Sequence, residues 1–259
     1  SGNFEMLKKY NTYWNFDGVD HLLHDNTSGH EGDGITLAQT LGAQVDFMGK
    51  PMMIPFGSPT GSTAPMVGNH LNFMLVNGDG KRIVNEKASR YDISQALFSS
   101  KDATGYIVSD STNCNVIDGK AYGYYDVNYL AANHDLYFAD TLEELAEAIG
   151  ADPETLIATV NQFNEYCRAA DGQPDEFGRT IFTEEGLIEE GPFYASPISP
   201  RAHLTPGGIL IDEEDYCALN EAGERIEGLY CVGELAAERN GVASLSTGLY
   251  AVNKIFGLE

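Results

Sequence analysis

Val76-Asn77-Gly78-Asp79-Gly80-Lys81-Arg82-Ile83-Val84-Asn85-Glu86-Lys87-Ala88-Ser89-Arg90 is the most informative run in this sequence. Its Asn-Gly-Asp-Gly centre is a strong tight-turn signal, because Gly and Asn/Asp tolerate positive φ. Leu71–Val76 and Lys81–Asn85 on either side read as the two strands of a hairpin. Just beyond them, Asn85-Glu86-x-x-x-Arg90 sets a carboxylate and a guanidinium four residues apart. Taken alone, Arg90 reads as a hairpin-end arginine in a surface ion pair, a contact of small energetic worth.

Upstream, residues 1–30 read as irregular, with a short helical signal around Glu5–Tyr10. Glu31-Gly32-Asp33-Gly34 leads into an amphipathic helix through Ile35, Leu37, Ala38 and Leu41, stopped by Gly42. Lys50 to Asn69 is rich in Pro, Gly, Ser, Thr and Met and reads as a long loop. Downstream, Tyr106–Ser109 reads as a short buried strand and Gly119–Leu130 as a packed loop. Thr141-Leu142-Glu143-Glu144 is a capping box before a helix that Gly150 ends. Asp152-Pro153 opens the next helix, whose stripe is Leu156, Ile157, Val160, Phe163 and Cys167. Residues 171–190 read as an acidic loop. Three short strands follow at Ile209–Ile211, Tyr216–Leu219 and Leu229–Val232, with a turn at Asn220–Gly223. Ser246-Thr247-Gly248 is expected to open a last helix through Ala251, Val252, Ile255 and Phe256.

The 259 residues carry 15 Lys+Arg against 39 Asp+Glu, a net charge of −24. Phosphate binding needs clustered basic residues, so a nucleic-acid partner is excluded. An anionic membrane surface is disfavoured for the same reason. No apolar run approaches the roughly 20 residues of a membrane span, and the opening residues carry no signal-peptide pattern. Cys114, Cys167, Cys217 and Cys231 lack any metal-ligand spacing and read as free, mostly buried thiols. His21, His24 and His30 beside Glu31 have no helix to set a ligand geometry, so no metal site is read there.

The motifs come in a specific order: Glu31-Gly32-Asp33-Gly34-Ile35; Val76 to Arg82; Asn85-Glu86-x-x-x-Arg90; and Thr141 to Leu145. Gly191-Pro192-Phe193-Tyr194-Ala195, His203-x-Thr205-x-Gly207-Gly208, Ile211-Asp212 and Gly228 to Glu234 complete it. Over essentially the whole chain this order resembles the FAD-dependent fumarate reductase/3-ketosteroid dehydrogenase superfamily, in its soluble fumarate-reductase-like branch. The family's G-x-G-x-x-G fingerprint, which holds the FAD pyrophosphate on a helix N-terminus, has no match here. The resemblance therefore implies the C-terminal portion of a larger flavoenzyme. The implied fold is α+β: a capping (substrate) domain inserted into the C-terminal part of a FAD-binding domain of glutathione-reductase-like type. Residues 1–50 and 203–259 would belong to the FAD-binding domain and 51–202 to the cap.

The same resemblance implies roles. Arg90 matches the arginine that protonates the substrate carbon while flavin N5 delivers hydride to the neighbouring carbon. Arginine is a poor acid in water, with a pKa above about 12, so a closed site would have to assist the transfer. His203 matches the histidine that grips a substrate carboxylate or carbonyl. Asp33 and Glu234 fall on the FAD, where an acidic side chain suits ribose or ribityl hydroxyls. Asp33 also reads as a simple helix N-cap. Thr247, Gly248, Leu249 and Tyr250 fall at the flavin edge, where a helix N-terminus would favour negative charge. FAD is the implied cofactor, in the complete enzyme. An electron-donor domain or protein is implied but not visible.

Three departures bear on substrate. The family's second carboxylate-binding His falls at Ile54-Pro55-Phe56; its proton-relay Glu and Arg fall near Met66 and Asn69; its far-carboxylate Arg falls near Ser244, with Arg239 close by. A dicarboxylate would meet an under-charged pocket. The expected substrate is a monoanionic or larger enoate, an enone or a steroid-like ketone, and the reaction is reduction of an activated C=C bond. The alternatives are a ketosteroid-type dehydrogenase, or a capping and binding fragment inactive in isolation.

Overall fold

The computed structural model describes residues 23–24, 29, 31–49, 51–61, 66–68, 72–237 and 243–258. The expected helical signal at Glu5–Tyr10 lies outside them. Two compact units emerge, one from Ser1–Met53 with Ala202–Glu259, the other from Ile54–Arg201.

The second unit is built on a sheet whose central pairings are antiparallel. The long strand Phe193–Leu204 pairs antiparallel with Gly105–Ser109, in register from Tyr194↔Ser109 to Ile198↔Gly105. Gly105–Ser109 pairs in turn with Met74–Asn77, from Met74↔Val108 to Asn77↔Gly105. Tyr137–Ala139 and Met52–Gly57 also pair with the long strand. Strand side chains alternate between faces, and both faces are covered. Met74, Val76, Val108 and Ala195 meet Leu145, Leu156, Val160 and Phe163 of two helices. Phe73, Leu75 and Ile107 meet Ile93 and Leu97 of a third helix, Arg90–Phe98, on the other side. Each fully buried Leu, Ile or Phe contributes about 1.5–3 kcal/mol relative to exposure.

Local chemistry sets the helix ends. The Thr141 hydroxyl accepts the Glu144 N–H at 3.2 Å, and Gly150 ends Leu142–Ile149 with φ 78°. Only a residue tolerant of the left-handed region fits there. The Asp152 carboxylate accepts the Thr155 N–H at 2.9 Å at the head of Pro153–Ala169.

In the first unit, Ile35 and Ala38 of the helix Asp33–Thr40 pack on Ile209, Ile211, Tyr216, Ala218, Cys231, Ala236 and Ala251. Val45–Asp46 pairs with Gly208–Ile209, and Cys217–Leu219 pairs with Arg225–Tyr230. The last helix is Ala243–Phe256.

Several local expectations are corrected. The stretch read as a long loop contains the six-residue strand Met52–Gly57; Pro55 and Gly57 disguised it. Asn77–Gly80 does turn, with the Gly80 N–H on the Asn77 carbonyl, but its second arm makes only the bridge Val76↔Arg82. Gly105–Ser109 takes the place of that second strand. The region Gly119–Leu130 holds the short strands Lys120–Ala121 and Tyr125–Asp126 and the start of the helix Val127–Ala132. The N-cap of Asp33–Thr40 is Gly32, so Asp33 occupies the first helical position instead of the cap. The last helix begins at Ala243, so Ser246 and Thr247 lie inside it and do not open it. Among the described residues no helix is long and apolar enough to cross a membrane, and none of their His, Cys, Asp and Glu side chains group to hold a metal.

Candidate functional site

Arg90 is the first residue of its helix, behind Ser89 as N-cap. The Ser89 hydroxyl accepts the Asp92 N–H at 3.2 Å and donates to the Asp92 carboxylate at 2.7 Å. The approach to Arg90 is equally defined. The Asn85 side-chain oxygen accepts the Lys87 N–H at 2.8 Å, and the Asn85 carbonyl accepts the Ala88 N–H at 2.9 Å. The Arg90 side chain is exposed and makes no ion pair among the described residues. The bland reading of Arg90 as half of a surface ion pair is therefore not what the described residues display.

Glu86, the other charge of that motif, is 4% exposed. Its Oε1 accepts from the Leu75 N–H at 3.1 Å and from Arg82 Nε at 2.9 Å. Its Oε2 accepts from Arg82 Nη2 and from Arg179 Nη1, both at 2.8 Å. Arg82 Nη2 also lies 2.8 Å from Asp175 Oδ2. Arg179, fully buried, donates to the carbonyls of Phe73 and Ile181 at 2.9 Å. Two guanidiniums and two carboxylates thus neutralise one another out of water. Faces of Phe163, Phe177 and Phe182 lie 4.5–5.9 Å from the guanidinium carbons, within cation–π range. Burial pulls the Arg82 pKa down, but hydrogen bonds and charge from Glu86 and Asp175 outweigh it and hold the group above its ordinary value.

This cluster was not anticipated from sequence. Arg179 and Asp175 come from the stretch read as an acidic loop. A signal was present: Arg82-x-x-x-Glu86 and Asp175-x-x-x-Arg179 are complementary pairs of the same spacing. Arg201 is half-buried, and a Cβ on Gly57 would collide with its Nε, so its side chain covers that glycine.

In the first unit, three expected cofactor segments adjoin. A Cβ on Gly34 would lie 3.0 Å from Leu235 Cδ1, which sets Asp33-Gly34 against the turn Gly233–Leu235. The Gly233 N–H donates to the buried Thr247 hydroxyl at 3.1 Å, which ties that turn to the last helix. Asp33 and Glu234 are exposed. A Cβ on Gly248 would meet nothing within 4 Å. Leu249 is 65% exposed, and Tyr250 sits edge-on to Tyr216 with centroids 6.0 Å apart. His203 belongs to the strand Phe193–Leu204, but its side chain, like those of Arg239 and Ser244, lies outside the described residues. Ile54–Phe56 lies in the strand Met52–Gly57 and offers no ionisable group; Phe56 is edge-on to Phe73. Asn69 is not among the described residues. A separate cavity of about 420 Å³ in the second unit, lined by Tyr106, His134 and Tyr137 among others, includes none of the expected site residues.

A family model described as an FAD binding domain matches residues 22–248. The chain belongs to the FAD-dependent fumarate reductase/3-ketosteroid dehydrogenase superfamily. FAD is the cofactor of this flavoprotein superfamily. An NADH:acrylate oxidoreductase of Vibrio harveyi is 35% identical over 98% of this chain and 24% of its own length. An NADH:fumarate oxidoreductase of Klebsiella pneumoniae is 30% identical over 99% of the chain and 26% of its own length. The chain therefore spans about a quarter of the length of these relatives. Among solved structures, the 3-ketosteroid delta1-dehydrogenase from Sterolibacterium denitrificans matches with TM-score 0.72 at 22% identity, over 100% of this chain and 52% of that one. The open conformation of a flavocytochrome c3 fumarate reductase matches with TM-score 0.68 at 24% identity, over 96% and 42%. These two likenesses establish the fold.

Proposed function

We propose that this chain provides the proton donor and part of the flavin site of an oxidoreductase that reduces the C=C bond of an α,β-unsaturated monocarboxylate. The observation that carries the reading is Arg90: an unpaired guanidinium, among the described residues, at the head of a helix whose approach is pinned at Glu86 and at Ser89. The unit Ile54–Arg201 takes the role of the cap, and the remaining unit that of the FAD domain.

Asp33 and Glu234 hold hydroxyls of the cofactor; both are exposed carboxylates beside glycine backbone, which suits a hydroxyl-rich ligand at close approach. Thr247 acts one step back by fixing the Gly233 N–H, while Gly248, Leu249 and Tyr250 line the flavin edge. FAD, when bound and reduced, supplies the hydride. Arg90 donates a proton from its guanidinium to the carbon next to the one that receives hydride, so the double bond gains one hydride and one proton. Arg90 is then reprotonated from solvent, which its exposure permits. His203 holds the substrate carboxylate or carbonyl and stabilises the charge that develops there.

A monocarboxylate is preferred over fumarate because Ile54-Pro55-Phe56 and Ser244 stand where the family uses groups that bind the second carboxylate. The relative from Vibrio harveyi, whose name specifies acrylate, supports that choice. Arg90→Lys in the flavin-loaded enzyme tests the reading. Lysine keeps the charge but not the planar fork. Reduction of acrylate should fall at least about a thousandfold with flavin content unchanged; turnover within tenfold of the parent would remove Arg90 from the chemistry.

A further inference from the structure

We infer that Glu86, clamped between Arg82 and Arg179, is a positioning residue that sets where Arg90 presents its guanidinium. The inference rests on the role proposed for Arg90. No ion pair among the described residues holds the Arg90 side chain, so its backbone sets its place. That backbone is fixed from behind by Ser89, which caps its helix. It is tied further upstream through Glu86, four residues earlier.

Glu86 is a more rigid anchor than a turn residue needs. All four of its acceptor directions are filled: two by Arg82, one by Arg179 and one by the Leu75 N–H of the neighbouring strand. Arg179 is locked in turn by the Phe73 and Ile181 carbonyls. The 85–90 segment is thereby tied to the sheet and to the 175–179 loop, which lies about ninety residues away in sequence. The five residues Glu86 to Arg90 have little freedom left, because the Asn85 carbonyl and side chain already close the intervening turn. A displacement of about 1 Å at a reacting group can cost a hundredfold in rate, so an anchor of this kind belongs to the chemistry as well as to the fold.

Glu86→Asp tests this. It keeps the charge that balances the two arginines but withdraws the carboxylate by one methylene, which pulls the 85–90 segment inward or breaks its clamp. Arg179→Lys is the second variant, since it keeps the charge but loses the fork. In the flavin-loaded enzyme, kcat for acrylate should fall about tenfold or more in either variant, with KM within twofold and flavin content unchanged. Reduction of the bound flavin by dithionite should proceed at the parental rate, since that half of the cycle does not use Arg90. Folded, flavin-loaded variants that keep parental kcat while melting earlier would overturn the inference and leave Glu86 a purely structural group. So would equal losses in both half-reactions. Failure of the underlying reading gives a different pattern: Arg90→Lys itself would then retain turnover. Should Glu86→Asp not fold, Arg179→Lys carries the same two outcomes.

Discussion

Glu86→Gln, the neutral isostere, is the sharpest probe of the buried charge cluster. The substitution leaves the volume unchanged and retains one amide oxygen to accept from Leu75 or Arg82. It removes the one carboxylate that pairs with both Arg82 and Arg179, whose side chains are almost wholly buried. Among the described residues, buried Asp175 and half-exposed Glu176, 3.8 Å from Arg82 Nη1, then remain against two guanidiniums. Breaking a buried pair by removing one partner costs about 3–5 kcal/mol, and the isosteric amide puts this case near the lower end, about 3 kcal/mol. For a unit of this size that is a fall in melting temperature of about 6–12 °C. The assay is thermal and urea unfolding of parent and variant, with Glu189→Gln as the control. Glu189 pairs with Arg168 at the surface, where both side chains are about half exposed, and such pairs contribute about 0–1 kcal/mol. A Glu86→Gln loss below about 1 kcal/mol, or one equal to that of Glu189→Gln, would refute the description of the cluster as a desolvated, mutually dependent set.

Other consequences are equally measurable. Thr247→Val removes the acceptor of the buried Gly233 N–H, so the first unit should lose about 1–3 kcal/mol in urea unfolding, and flavin retention on gel filtration should fall with it; unchanged stability would show the bond to be dispensable. The hydrogen bonds from Thr155 hold the Asp152 carboxyl below its usual range. A depressed folded pKa gives stability that is present above the unfolded value and lost as pH falls through the folded one. Acid titration should therefore separate the parent from Asp152→Asn, which caps without titrating, and coincident acid-unfolding curves would contradict this. Burial pushes the Cys167 and Cys231 thiols up to about 11, whereas Cys114 is only half-buried. At pH 8 a thiol reagent should label Cys114 first and reach Cys167 and Cys231 only on unfolding; prompt labelling of Cys167 in the native protein would contradict that burial.

How legible this was depended on how local the cause is. The Thr141 and Asp152 caps lie within three residues of the groups they satisfy, and both helices start where the sequence places them. The Asn77–Gly80 turn was legible for the same reason. Its partner strand was not, because Met74–Asn77 completes its hydrogen bonding with Gly105–Ser109, nearly thirty residues on, and nothing in Lys81–Asn85 announces that. Pro55 hides a strand whose partner among the described residues is a segment some 140 residues away. Ser246-Thr247-Gly248 looks like a cap but lies three residues inside the last helix, and the Thr247 hydroxyl is engaged by Gly233. On the candidate site, motif order singles out Arg90 and the segments around Asp33, Glu234 and Thr247. It did not reveal that Glu86 is buried, since that depends on Arg179 arriving from a distant loop.

The most direct test of the proposed activity is a rapid-mixing experiment with the flavin-loaded enzyme, reduced beforehand and mixed anaerobically with acrylate or with fumarate. Reoxidation of the flavin absorbance should be fast with acrylate and at least tenfold slower with fumarate, with one equivalent of propionate formed per flavin. Reoxidation by fumarate alone, or by neither acid, would contradict the assignment of this chain to reduction of an unsaturated monocarboxylate.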